Sequence, residues 1–126
     1  MTRVLGKGIL SAPILRREEI EIPEWGGSIL VRELTEAEAT DCQKTLRYKF
    51  DHEHTLPDSD SMSGWRKRIW FYGWINEDGT QVLSREDRDK LDQVPYSILD
   101  RVAGRIAELS GITPKGDSPD ADAAKN

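Results

Sequence analysis

A chain of 126 residues suits one domain, and at this length folding buries well over half of the surface that the extended chain exposes, so one modest core forms without staples. The balance of 18 basic against 23 acidic residues sets the average field against a phosphate backbone and argues against nucleic acid as partner. The lone cysteine, Cys42, allows no internal disulfide, redox pair or Cys-based zinc site, and fits a reducing cytoplasm.

At the N-terminus, Arg3 precedes a fairly apolar run from Val4 to Leu15. Lys7 interrupts it too early for a secretory core, and Arg16 and Arg17 stand where cleavage would fall. No other run approaches the roughly 20 apolar residues of a membrane span. Neither export nor a membrane anchor is expected. Residues 1–17 mix Gly6, Gly8 and Pro13 with scattered apolar residues and read as a flexible arm that orders on a partner.

Polar and apolar residues alternate from Glu19 to Ile22 and again from Ser28 to Leu34, which predicts an N-terminal β-hairpin over 19–34 with a glycine-containing loop. At Thr35 the period changes. Thr35 and Glu38 form a T-x-x-E capping box that opens a helix over about 36–50, with Ala39, Cys42, Leu46 and Phe50 as its buried stripe. From Asp51 to Gly64 the chain is polar and reads as a mobile loop.

Trp65 to Ile75 is the most aromatic stretch, where Trp65, Trp70, Trp74, Phe71 and Tyr72 accompany the triplet Arg66, Lys67, Arg68. Periodicity leaves helix and strand open here. Asn76-Glu77-Asp78-Gly79 is a turn, Val82 and Leu83 complete a short second hairpin, and Ser84 with Asp87 caps a helix to about Gln93. Pro95 then opens the helix with the clearest stripe in the chain: Ile98, Leu99, Val102, Ala103, Ile106 and Leu109. Gly111 supplies a left-handed cap, Ile112 folds back on Ile106, and Pro114 prevents continuation. The acidic segment 113–126 has almost no bulky apolar residue and reads as disordered. The fold class is therefore α+β, a small single domain over 18–112 with about four helices, two hairpins and flexible termini.

Candidate chemistry is sparse. In His52-Glu53-His54 two imidazoles would share a strand face, but no further ligands lie nearby to complete a metal site. The carboxylates Glu18-Glu19, Glu36-Glu38 and Glu86-Asp87 sit on strand faces or in first helical turns, where the helix dipole accounts for the last two pairs. No phosphate loop, nucleophile elbow or Cys/His pairing with an orienting acid is present. No enzyme, cofactor or metal is expected. Arg66 to Arg68 beside tryptophans could hold phosphates while rings stack on bases, but three charges on an acidic chain are a small footprint. Trp and Arg are also enriched at protein–protein hot spots, so Trp65, Ile69, Trp70 and Trp74 are either core residues or a partner-binding face.

Taken in order, Ile9-Leu10-Ser11-Ala12, then Ile20-Glu21-Ile22-Pro23-Glu24-Trp25-Gly26-Gly27, then Val31-Arg32-Glu33-Leu34-Thr35 closely resembles the tail assembly chaperones of siphophages, the long-tailed bacteriophages. Asn76-Glu77-Asp78-Gly79, Leu83-Ser84-Arg85-Glu86-Asp87, Leu91, Pro95, Leu99 and Ile106-Ala107-Glu108-Leu109-Ser110-Gly111-Ile112 continue the resemblance, which spans about 9–112. It selects a helix over a strand for 64–74. It implies a protein of the host bacterial cytoplasm, absent from the mature virion, that binds the tape measure protein, keeps its apolar helices soluble and recruits the tail tube protein. The Trp65, Ile69, Trp70 and Trp74 region would then touch tape-measure helices. A homo-oligomer is compatible with this reading.

The family also implies a frameshifted longer form, because Ala124-Lys125-Asn126 can be encoded by a slippery A-AAA-AAC heptamer, and an unpacked tail accepts an added domain. Two rival readings are a structural tail protein retained in the virion and a small DNA-binding regulator that uses Arg66 to Arg68.

Overall fold

The computed structural model describes residues 2–50 and 55–113. Strands β1 (Arg17–Ile22) and β2 (Gly27–Arg32) form the expected hairpin, in which Ile20 faces Ile29 and Glu18 faces Val31. Their connection is a single 3-10 turn, Pro23–Trp25, closed by Gly26 at φ 69°, a left-handed conformation that glycine adopts without Cβ strain. Alternation gives the hairpin one apolar face: Ile22 and Val31 are fully buried and Ile20 and Ile29 pack beside them, while Glu19 and Glu21 point to solvent.

Helix α1 (Glu36–Gln43) starts at the expected capping box, with the Thr35 N–H donating to Glu38 Oε1 at 2.9 Å and the Glu38 N–H to Thr35 Oγ1 at 3.3 Å. It ends about seven residues earlier than the periodicity predicts. The reason is competition for its last backbone groups. Thr45 Oγ1 donates to the Cys42 carbonyl, the Arg47 N–H goes to Ser61 Oγ, and the Arg47 carbonyl accepts from the Asp58 N–H at 2.7 Å. The chain leaves the helix axis, and Phe50, expected on the helical stripe, lies in β3 (Tyr48–Phe50), which pairs antiparallel with β4 (Thr55–Pro57). The His52-Glu53-His54 cluster falls outside the described residues.

The predicted loop is shorter than its polarity suggests, because Asp58 accepts from the Ser61 N–H at 2.8 Å and starts helix α2 (Ser59–Gly73) inside it. A good N-cap favours helix even where serines are plentiful. Through 64–73 the helix is the one that the resemblance selects. β5 (Trp74–Ile75) follows at once and pairs with β2, giving a three-stranded antiparallel sheet in the order β1-β2-β5.

The second hairpin is reduced to its turn. Gly79 has φ 91°, Ile75 bridges to Gln81, and the Val82 N–H reaches the Trp74 carbonyl, but Val82 and Leu83 form no strand. Arg85–Gln93 is 3-10 throughout, longer than the few residues usual for that geometry, and Leu91 is its buried anchor.

Helix α3 (Tyr96–Ser110) closes the core against α2 and the hairpin. Ile98, Leu99, Val102, Ala103 and Ile106 are buried as the stripe requires, and Leu109 is half-buried. Its end is a Schellman motif: Gly111 at φ 73° donates to the Glu108 carbonyl and the Ile112 N–H to the Ala107 carbonyl at 3.0 Å, which satisfies carbonyls that otherwise lack partners. Only Thr113 of the segment read as disordered, 113–126, is among the described residues.

Candidate interaction surface

The four residues singled out on α2 and β5 do not share one solvent face. Trp65, Ile69 and Trp70 are buried, and Trp74 retains partial exposure. Trp65 Nε1 donates to Gln43 Oε1 at 2.8 Å and Trp70 Nε1 to the Leu99 carbonyl at 2.9 Å, so each indole satisfies its polar atom as buried tryptophans must. Trp74 stands edge-on to Trp70 with centroids 5.5 Å apart. The sequence left core and partner face both open for these rings; in the isolated chain three of the four residues are core.

The basic triplet is consumed internally. Arg66 Nε meets Asp100 at 2.9 Å while its guanidinium lies 4.8 Å from the centre of the Tyr96 ring, Lys67 pairs with Asp92, and Arg68 meets Asp41 at 2.8 Å. These three cations join α2 to α3, to the 3-10 segment and to α1. A phosphate would have to compete with carboxylates already in place, and the regulator reading gains nothing from this geometry.

The acidic pairs are structural as well. Glu18 receives Nε and Nη2 of Arg105, the Nη2 contact being 2.6 Å, and Glu24 receives Arg101, so two arginines of α3 hold the hairpin. Glu38 takes a bidentate pair of bonds from Arg32 at 2.8 Å each. Burial raises the pKa of the Glu38 carboxyl, but the Arg32 bonds and the Thr35 N–H outweigh it and hold the group below its ordinary value.

Asp41 accepts from the Tyr72 hydroxyl at 2.6 Å and from Arg68. The hydroxyl first, then Arg68, depresses the pKa of Asp41, and the same bond pushes Tyr72 up to about 12. Both Asp41 oxygens are thus engaged, and the cluster clamps α1 to α2. Cys42 lies beneath it, its thiol pushed up to about 12 by burial and then by the Asp41 charge. Among the described residues no group of three or more His, Cys, Asp or Glu is placed to hold a metal ion, and no helix is long and apolar enough to cross a membrane.

What reaches solvent is an apolar arm and a cleft. Val4, Leu5, Ile9, Leu10 and Ile14 all stand exposed before β1. Where β2 and β5 meet, Ile29, Leu30, Trp74, Ile75 and Val82 line a cleft of about 500 Å³ together with the polar residues Glu19, Ser28, Asn76 and Glu77. Of this cleft the sequence signalled only Trp74, because its walls come from segments far apart in the chain.

Comparison with known proteins places this architecture. No family model and no curated protein sequence matches the chain. The solved structure of the tail assembly chaperone of bacteriophage HK97 is similar, with a TM-score of 0.59 over 85% of this chain and 94% of that one at 14% sequence identity. At that identity the likeness is one of fold, and nearly the whole HK97 protein is matched by this chain.

Proposed function

We propose that this protein is a non-enzymatic tail assembly chaperone of a long-tailed bacteriophage, acting in the host cytoplasm and absent from the finished particle. The observation that carries the reading is the fold shared with the HK97 tail assembly chaperone over most of both chains. The ordered resemblance over 9–112 supports it independently, since it rests on residues rather than on backbone shape.

In this reading the client is the tape measure protein, whose apolar helices the chaperone keeps soluble while tail tube subunits gather. Docking through Trp65, Ile69 or Trp70 would require exposing core side chains at about 1.5–3 kcal/mol each. Client contacts therefore fall on apolar groups that already reach solvent, with Trp74 the one member of the original set that qualifies. A longer form made by slippage at codons 124–126 belongs to the same proposal.

The test is co-expression of the tape measure protein of the same phage, with and without the chain. The expected result is a soluble complex in its presence, an insoluble tape measure protein in its absence, and purified particles lacking the chain. Recovery of the chain in stoichiometric amounts from purified particles would instead establish a structural tail protein.

A further inference from the structure

Arg85–Gln93 holds nine residues in 3-10 geometry, which turns once in three residues and eclipses the side chains at i and i+3. The sequence Arg85-Glu86-Asp87-Arg88-Asp89-Lys90-Leu91-Asp92-Gln93 is sorted by that period. Arg85, Arg88 and Leu91 fall on one face, Glu86, Asp89 and Asp92 on a second, and Asp87, Lys90 and Gln93 on the third. Burial keeps the same period: Leu91 is buried, Arg88 and Val94 are half-buried, and Arg85 reaches solvent. The two arginines are thereby held apart from the acidic face. An α-helix of the same sequence would bring Asp89, at i+4, beside Arg85.

From Gly64 to Thr113 every other lysine and arginine meets a carboxylate, whereas Arg85 and Arg88 have none among the described residues. The Arg88 guanidinium lies over the Phe71 ring, 4.6 Å from its centre. Its Nε is the one buried side-chain nitrogen or oxygen without a hydrogen bond among the described residues, and its two Nη groups, equally unbonded, open to solvent. Asp41 is near enough to feel the Arg88 charge, but Tyr72 and Arg68 already occupy both of its oxygens. A half-buried charge without a partner costs stability. A carboxylate supplied from outside would remove that cost, because it meets the edge of a guanidinium with two parallel hydrogen bonds.

Eclipsed residues three apart on a 3-10 helix are separated by about 6 Å along the axis, at roughly 2.0 Å per residue. Carboxylates at i and i+4 of an α-helix are also about 6 Å apart along theirs, at roughly 1.5 Å per residue. We propose that Arg85 and Arg88 form a docking site for an α-helix of a partner protein that presents two carboxylates four residues apart. Arg88, fixed on Phe71, is the anchor, and Arg85 is the exposed second contact. A nucleic-acid backbone fits worse, because its run of phosphates would continue past the two arginines onto the field of Glu86, Asp89 and Asp92. Two carboxylates end where the arginines end.

The inference is independent of the chaperone reading, and its experiment needs no client. The probe is a capped, alanine-rich peptide of roughly 20 residues, long enough to hold a helix in water, with two glutamates four residues apart. It is titrated into the full chain while the arginine Nε–H resonances are followed by NMR. The Arg85 and Arg88 signals should shift saturably, and those of the paired arginines should stay in place. R85Q should weaken binding about threefold, as loss of an exposed ion pair does, and R88Q about tenfold or more, as loss of a hydrogen-bonded charge does. Circular dichroism checks both folds, and because Arg85 is exposed, R85Q decides the matter if R88Q disturbs the 3-10 segment. The same peptide with its glutamates two residues apart, on opposite faces of its helix, should bind about threefold more weakly. The proposal is overturned if the two signals do not move, if the signal of the exposed Arg3 moves alike, or if R85Q or the rearranged peptide binds as tightly as its parent. Tighter binding of inorganic phosphate or a short oligonucleotide than of the peptide would overturn it as well.

Discussion

Gly73 of α2 lies directly against Ile106 of α3, and replacing it tests the packing of the core between the two helices. A Cβ built there would lie 2.8 Å from Ile106 Cδ1, 2.9 Å from Cγ2 and 3.3 Å from Cγ1. Ile106 is fully buried, so its β-branched side chain has nowhere to swing. Gly73→Ala gains about 1 kcal/mol of helix propensity, while overpacking a filled core costs roughly 1–3 kcal/mol. The clash involves a rigid methyl as well as a chain end, so the cost falls at the upper end of that range and the net loss is about 1–2 kcal/mol. For an ordered domain of this size the midpoint should drop by about 4–16 °C. Urea unfolding followed by tryptophan fluorescence measures the loss.

A double-mutant cycle isolates the cause. Ile106→Ala alone should cost about 2–5 kcal/mol, and in that background Gly73→Ala should become neutral or stabilising, a coupling of about 1–3 kcal/mol. An equal penalty in both backgrounds, or a stabilised single variant, would refute the close approach of α2 and α3.

Two further outcomes follow from the ionisable groups. The carboxyl of Glu38 is held below its ordinary pKa, so it contributes stability above its unfolded pKa that is lost as pH falls through the lower, folded value. Glu38→Gln should therefore be less stable than the parent at neutral pH and converge toward it in acid, and parallel stability curves across the acid range would contradict the assignment. The Cys42 thiol, pushed up to about 12, should resist a disulfide reagent at pH 8 in the folded protein and react promptly in denaturant, because the thiolate is the nucleophile. Rapid labelling of the folded chain would show that Cys42 is not sealed beneath Asp41.

The sequence by itself determined most of the features whose cause lies within a few residues, the Asp58–Ser61 cap of α2 being the exception. The Thr35–Glu38 box, the glycine at 111 with Ile112 behind it, the Asp78-Gly79 turn and the stripe on α3 are each satisfied by neighbours in the chain, and the alternation of 19–34 encodes a hairpin through the two-residue period of a strand. What only tertiary structure decided depended on groups distant in sequence. Helix α1 stops at Gln43 because Ser61 and Asp58 take the Arg47 backbone groups, and no period within 36–50 contains that competition. The rings of Trp65 and Trp70 became core residues when Gln43 and the Leu99 carbonyl supplied acceptors for their N–H groups. Arg66, Lys67 and Arg68 lost the character of a patch when Asp100, Asp92 and Asp41 arrived from three other segments. Composition counts charges, but pairing is a matter of distance, and only the folded chain brings those pairs within reach of one another.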